Sequence, residues 1–276
     1  PAETAEKIPP YYFYDLQGHV FSDLNEKDRI SVSIYRGIDD LIFDNLGLTA
    51  DWGNNTYSLS FRRVFNEKLV GNFLVASSEF FTNFNLGGDD GLNSENKILD
   101  QTLSANLTFF QSSDLEWRAG AQIKQLDFKY LNTFLEDTSF YIGENPIEAG
   151  FYTKLKWKGF SRFIIEPGLR YNYYSVYSST PYIDLRLGAK YLLTDDRYIN
   201  IALGNYHQFI QTVQDDYNPT ILDSWLAVDN SIDPAEAQQA VIGYEEYIRD
   251  IYKIQIEAYY KSIQNMLTFE NMRSST

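Results

Sequence analysis

Alternation at period two is the feature that most restricts what this chain can fold into. From Leu99 to Phe109 the odd positions read Leu99, Gln101, Leu103, Ala105, Leu107 and Phe109. The even positions between them read Asp100, Thr102, Ser104, Asn106 and Thr108. Successive side chains of a strand point to opposite faces, so this stretch carries one largely apolar face and one wholly polar face. The pattern returns at Leu115, Trp117, Ala119, Ala121 and Ile123, at Ile30, Val32 and Ile34, and at Ile183, Leu185, Leu187, Ala189 and Tyr191. It returns again at Ile254, Ile256, Ala258 and Tyr260. No helical period competes over comparable lengths, and the chain reads as all-β.

The links between these segments alternate in length. Short polar links lie at 25–28, 66–68, 112–114, 158–159, 194–196 and 249–250, and longer ones at 38–51, 83–96, 130–145, 175–180 and 209–234. They divide the chain into about twelve strands in six hairpins, many with the roughly 9–11 residues of a tilted membrane-spanning strand. Short turns on one side and long loops on the other are how transmembrane antiparallel β-barrels are built. Soluble sandwiches use shorter strands and show no such asymmetry. On this reading Leu103 faces lipid and Thr102 the lumen.

Composition agrees with a barrel. Aromatic residues make up 16% of the chain, with 22 Tyr and 19 Phe, yet mean hydropathy is −0.36. A barrel strand meets lipid only at every second residue, so its average stays polar. No apolar run approaches the ~18 residues of a spanning helix. Aromatics cluster at strand ends, in Tyr11–Tyr14, at Phe80, Phe81 and Phe84, and at Tyr171, Tyr173, Tyr174 and Tyr177, where an interfacial girdle is expected. With no cysteine, disulfides and thiolate chemistry are excluded. A net charge of −15 argues against nucleic-acid binding, which needs a basic face. Residues Pro1–Lys7 lack the apolar stretch of a secretion leader, so the leader is expected to have been removed or to lie in a longer protein.

Two stretches resemble the barrel of TonB-dependent receptors. One is Phe163–Tyr171, with its Pro167-Gly168-Leu169-Arg170-Tyr171 core. The other runs from Asn218-Pro219 through Trp225, Asp233-Pro234-Ala235-Glu236 and Gly243-Tyr244-Glu245 to Ala258-Tyr259-Tyr260-Lys261. Tyr11–Leu16 also looks like an early strand of that barrel. The resemblance implies a 22-stranded barrel in the outer membrane, in contact with lipid and closed around a plug domain. It implies that an inner-membrane TonB-type protein acts through the plug, and that the cargo is a small-molecule or oligomeric nutrient. Neither the plug nor the short motif that engages the energy-transducing partner is found in these residues, and Arg273–Thr276 lacks a terminal aromatic. Residues 1–276 are therefore expected to be a partial barrel whose plug and remaining strands lie elsewhere. A smaller complete barrel acting as a passive pore or adhesin, and a soluble carbohydrate-binding β protein, are the alternatives.

Enzyme signals are weak. His19 and His207 have no metal-binding spacing, and Ser22 near His19 is an ordinary coincidence in a Ser-rich chain. No catalytic residue, cofactor or metal is expected. The group Asp89, Asp90, Asn93 and Glu95 misses the ligand order of a Ca²⁺ loop and reads as a solvated loop. Arg118, Lys124, Arg170, Arg186 and Lys253 are expected on a hydrated lumen wall. Trp225, Tyr217, Asp215, Asp216 and Asp223, in the longest link, are the candidate ligand contacts. Their rings offer flat apolar faces and their carboxylates offer acceptors.

Overall fold

The computed structural model describes residues 10–88, 90–177, 181–213, 224–228, 232–249 and 251–267. Fifteen strands form: β1 (Tyr11–Asp23), β2 (Asp28–Phe43), β3 (Leu48–Asn66), β4 (Leu69–Leu86), β5 (Leu92–Phe110), β6 (Leu115–Phe134), β7 (Asp137–Glu144), β8 (Ile147–Phe160), β9 (Phe163–Tyr174), β10 (Tyr182–Thr194), β11 (Arg197–Gln208), β12 (Ile210–Val213), β13 (Ser224–Ala227), β14 (Ala235–Ile248) and β15 (Tyr252–Gln264). Twelve of them pair in the order β1-β2-β3-β4-β5-β6-β8-β9-β10-β11-β14-β15, with β7 added beside β6 and β12–β13 as a separate hairpin. Every pairing is antiparallel between successive strands of that order. The described strands form an open path with β1 and β15 at its ends.

The register turns the alternation into continuous rows. Val20, Val32, Leu59, Val75, Leu103 and Ile123 are successive cross-strand partners from β1 to β6. Trp157, Ile165, Ala189, Ile201, Ile242 and Ala258 form a second row from β8 to β15. Such neighbours stabilise a sheet face, yet many stay exposed, Leu103 at 55% and Ile242 at 56%. An apolar face this broad and uncovered suits hydrocarbon rather than water. The opposite row reads His19, Ser33, Ser58, Ala76, Thr102, Lys124 and Glu148. Among the described residues no helix is long and apolar enough to cross a membrane.

Turn chemistry sets the short side. Asn25 Oδ1 accepts from the backbone N–H of Lys27 at 2.8 Å and of Asp28 at 2.9 Å, and Asn66 Oδ1 accepts from Lys68 N–H at 2.9 Å. A side chain that mimics a backbone turn in this way fixes a tight reversal. On the long side, Leu135 and Glu136 both take positive φ, 52° and 63°, the geometry that matches a two-residue turn to strand twist. The β8–β9 ladder skips Leu155 and Lys156 opposite Pro167 and Glu166, where the proline ring removes the donor.

Three long links are shorter than the sequence suggests. Residues 38–51, 83–96 and 130–145 are mostly strand, because the ladders continue well past the apolar rows, and β6 reaches 20 residues. A strand of that length spans about 65 Å, roughly twice the hydrocarbon thickness, so its upper part projects beyond the membrane. The 130–145 link becomes an extra hairpin in which β7 folds back on β6. The aromatic clusters also divide by parity. Tyr12, Tyr14, Phe81, Tyr171 and Tyr173 share the apolar face, where a girdle belongs. Tyr11, Phe13, Phe80, Phe84 and Tyr174 share the polar face.

Candidate functional site

The polar face is a wall of paired charges. Lys124 meets Asp100 at 2.9 Å, Lys253 meets Glu245 at 3.4 Å, and Arg118 pairs with Glu116. Lys154 and Lys156 share Glu166. Arg170 donates to Asn172 Oδ1 at 2.6 Å and lies 4.0 Å from Glu148, while the Arg186 guanidinium stacks 4.6 Å from the centre of the Tyr206 ring. All five cations expected on the lumen wall are there, and each has a carboxylate within 4.0 Å. A shallow cavity of about 380 Å³ is lined by Tyr152, Lys154, Glu166, Arg170, Arg186 and Tyr206 among others. His19 bonds Ser33 Oγ at 2.8 Å on this face, whereas Ser22 belongs to the opposite face by register, so no His19–Ser22 pair exists.

Toward the long-link end this wall ceases to be polar. Leu126 and Phe128 on β6 and Tyr174 on β9 are 1%, 2% and 0% exposed. Tyr174 is covered by Phe209 and Val228, at the root of the longest link, which turns inward over the polar face. Tyr174 stacks on Phe209 with ring centres 4.6 Å apart, its hydroxyl donates to the Val228 carbonyl at 3.2 Å, and Val176, Tyr182 and Ile232 complete the cluster. Beneath it runs a buried polar chain. Asn172 Nδ2 donates to Asp184 Oδ2 at 3.0 Å, and Asp184 Oδ1 lies 2.7 Å from His207 Nδ1, the Asp184 side chain being 3% exposed. Buried carboxylates need such partners.

The hairpin β12–β13 extends from this root to the far side of the wall. Its residue Trp225 stands edge-on to Phe80 of β4, ring centres 6.1 Å apart. Asn96 of β5 holds the Trp225 backbone at both ends. Its Nδ2 donates to the Trp225 carbonyl at 3.2 Å, and its Oδ1 accepts the Trp225 N–H at 3.1 Å. Trp225 is the one candidate ligand residue among the described residues. Tyr217, Asp215, Asp216 and Asp223 lie outside them. Sequence reasoning missed Asn96, Phe80, Leu126, Phe128 and Tyr174. The signal was present, since four of these are apolar residues at polar-face parity.

The acidic group also resolves. Glu95 meets Lys129 at 2.7 Å and Asn93 accepts from Asn85, while Asp89 lies outside the described residues. Among the described residues no three His, Asp or Glu side chains converge as metal ligands. In sequence, the links 38–51, 83–96, 130–145, 175–180 and 209–234 contain fifteen carboxylates and no Lys or Arg, a charge equal to the net −15 of the whole chain.

A long antiparallel meander with one lipid-suited face, one ionic face and unequal links defines a transmembrane β-barrel of the outer-membrane type. The fold is that of part of the barrel of TonB-dependent receptors. The siderophore receptor PirA from Pseudomonas aeruginosa superposes with a TM-score of 0.69 at 12% identity, over 92% of this chain and 46% of that one. The copper transporter OprC gives 0.69 at 11% identity over 92% and 45%, and the alcaligin receptor FauA from Bordetella pertussis 0.68 at 11% over 92% and 44%. This chain therefore spans less than half the length of these proteins. No family model matches the sequence, and no curated protein matches it.

Proposed function

We propose that this chain is part of the barrel of a receptor that imports a scarce nutrient, such as a siderophore, glycan or peptide, across the outer membrane. The remaining strands and a plug domain complete it, and an inner-membrane TonB-type protein acts through the plug. The observation that supports this reading is the inward seat of residues 209–213 and 224–228 on an ionic wall, within a sheet that has the receptor fold. A passive pore needs an open lumen, and the short strands β12 and β13 laid against the wall work against it. The link, with Trp225 and its neighbours Tyr217, Asp215, Asp216 and Asp223, takes part in capturing the cargo. Carboxylates around the mouth repel anions and concentrate cations, which favours a neutral or cationic cargo over a polyanionic one. The test is growth of a strain lacking the gene on limiting iron, limiting copper, or single glycans and peptides as carbon source. A defect confined to one nutrient supports import; unimpaired growth on all of them removes it.

A further inference from the structure

We propose that the hollow around Arg186 on the polar face is a binding site for a single organic carboxylate, a stop for cargo below the mouth; this rests on the import reading above. Register places Arg186 between Gly168 of β9 and Gly204 of β11. Gly188, the next residue on that face of β10, lies between Glu166 and Ala202. Four neighbouring positions therefore carry a methyl group or nothing. Elsewhere on the sheet a ring fills such a space, Tyr152 over Gly120 and Trp157 over Gly159. At Gly168 and Gly188 an added Cβ would meet its nearest neighbours only at 3.6 Å and 3.5 Å. Neither has the positive φ that would require glycine, so what their bareness leaves is room, the cavity of about 380 Å³. Gly168 lies six residues along β9 from Tyr174, roughly 20 Å, so the hollow is separate from the buried cluster at the mouth.

The rim is cationic, and one of its cations is uncommitted. Its charged lining is Lys154, Arg170 and Arg186 against Glu166. Lys154 and Lys156 share Glu166, while Arg170 donates to Asn172 at 2.6 Å and to Gln122 at 3.4 Å. The carboxylate nearest Arg186 is Asp184, yet at 3.8 Å it makes no hydrogen bond to it, and its two oxygens are taken by Asn172 and His207. Among the described residues no acceptor lies within hydrogen-bond distance of Arg186, whose side chain is 46% exposed. The Tyr206 ring, 4.6 Å away, holds its guanidinium in place. Counting the carboxylates just outside the lining, Lys154, Lys156, Arg170 and Arg186 stand against Glu166, Asp184 and Glu148, an excess of one positive charge. A guanidinium fixed on a ring with its N–H fork open takes a planar carboxylate through two parallel bonds. The bare floor beside it gives the ring or chain attached to that carboxylate a place to lie. A phosphate also matches the fork, but the carboxylate-rich links repel a dianion more than a monoanion, and one excess charge matches one carboxylate.

The test uses the full-length protein in outer-membrane vesicles, with Gly188→Cys as the reporter. These 276 residues contain no cysteine, and the unsubstituted protein gives the background rate. Glu136→Cys, at an exposed position in the β6–β7 turn, is the reference for reaction with an anionic and a cationic methanethiosulfonate. A unit charge about 5 Å away in water changes each rate roughly fourfold, in opposite senses, so Arg186→Gln should lower the anionic-to-cationic ratio at Gly188→Cys about tenfold. The ratio at Glu136→Cys should not move. Benzoate should slow the modification of Gly188→Cys, whereas benzamide and inorganic phosphate should not. Arg186→Lys keeps the charge without the fork, so it should keep the ratio and lose the protection by benzoate, and it serves in place of Arg186→Gln should that variant fail to assemble. An unchanged ratio in Arg186→Gln, no protection by benzoate, equal protection by benzamide or phosphate, or protection that survives Arg186→Lys overturns the site. So does a Gly188→Cys that neither reagent reaches until urea unfolds the protein. Benzoate protection in a protein needed for no nutrient would leave the site standing and the import reading rejected.

Discussion

Replacing Leu103 by Arg probes the membrane assignment where it is most exposed to refutation. Leu103 lies between Val75 and Ile123 in the apolar row and is 55% exposed, so the new guanidinium would have no protein partner on that face. Near the bilayer midplane an Arg on the lipid face costs about 2–4 kcal/mol, a factor of roughly 30 to 700 in the folding equilibrium. Thr102, one residue away, faces the ionic wall. Its hydroxyl donates to Asp100 at 2.5 Å, and Lys124 is its cross-strand partner. An Arg there lies beside an existing carboxylate in hydrated surroundings, and the expected change is below about 0.5 kcal/mol. The assay is urea-dependent folding of the full-length protein into phospholipid vesicles, followed by heat-modifiable gel mobility. Leu103→Arg should shift the midpoint strongly and Thr102→Arg hardly at all. Equal shifts, or the reverse order, would mean that the faces are assigned wrongly.

Three further outcomes follow from the same geometry. His207→Ala deprives the buried Asp184 of a partner at 2.7 Å, which should cost about 1–3 kcal/mol locally and make the 209–234 link more sensitive to protease; unaltered cleavage would sink the buried-chain account. Gly188→Ala should be tolerated, since its nearest new neighbour would be 3.5 Å away, whereas Gly91→Ala places a methyl 1.9 Å from the Leu86 carbonyl and should lower the yield of assembled protein. Similar yields would argue against the close approach of Gly91 to the Leu86 carbonyl. Trp225→Ala should weaken cargo binding with assembly intact, because Trp225 lies in the hairpin and outside the twelve-strand sheet; undiminished affinity would limit Trp225 to packing on Phe80.

The strand pattern was legible because period two is a local property, written in each residue and its second neighbour. Leu99 to Phe109 announced both its faces, and Arg118, Lys124, Arg170, Arg186 and Lys253 all lie on the wall where alternation put them. The extent of the strands was not legible. Residues 38–51 and 83–96 lack alternation beyond the membrane because water, unlike lipid, does not enforce it, although the ladder continues. The seat of the long link was hidden for a different reason. The contact between Asn96 and Trp225 joins positions 129 apart, and no local pattern encodes such a meeting. The departures from alternation at Leu126, Phe128 and Tyr174 carried the hint. Each is an apolar residue at polar-face parity, and each is buried there.

The proposed energy-coupled import is open to a whole-cell accumulation assay. Cells with and without the gene are supplied with labelled iron complexes, copper or oligosaccharides, before and after a protonophore collapses the inner-membrane potential. Energy-coupled import requires gene-dependent accumulation of one cargo that ceases when the potential is lost. Gene-dependent accumulation that survives the protonophore would contradict it and identify a passive pore.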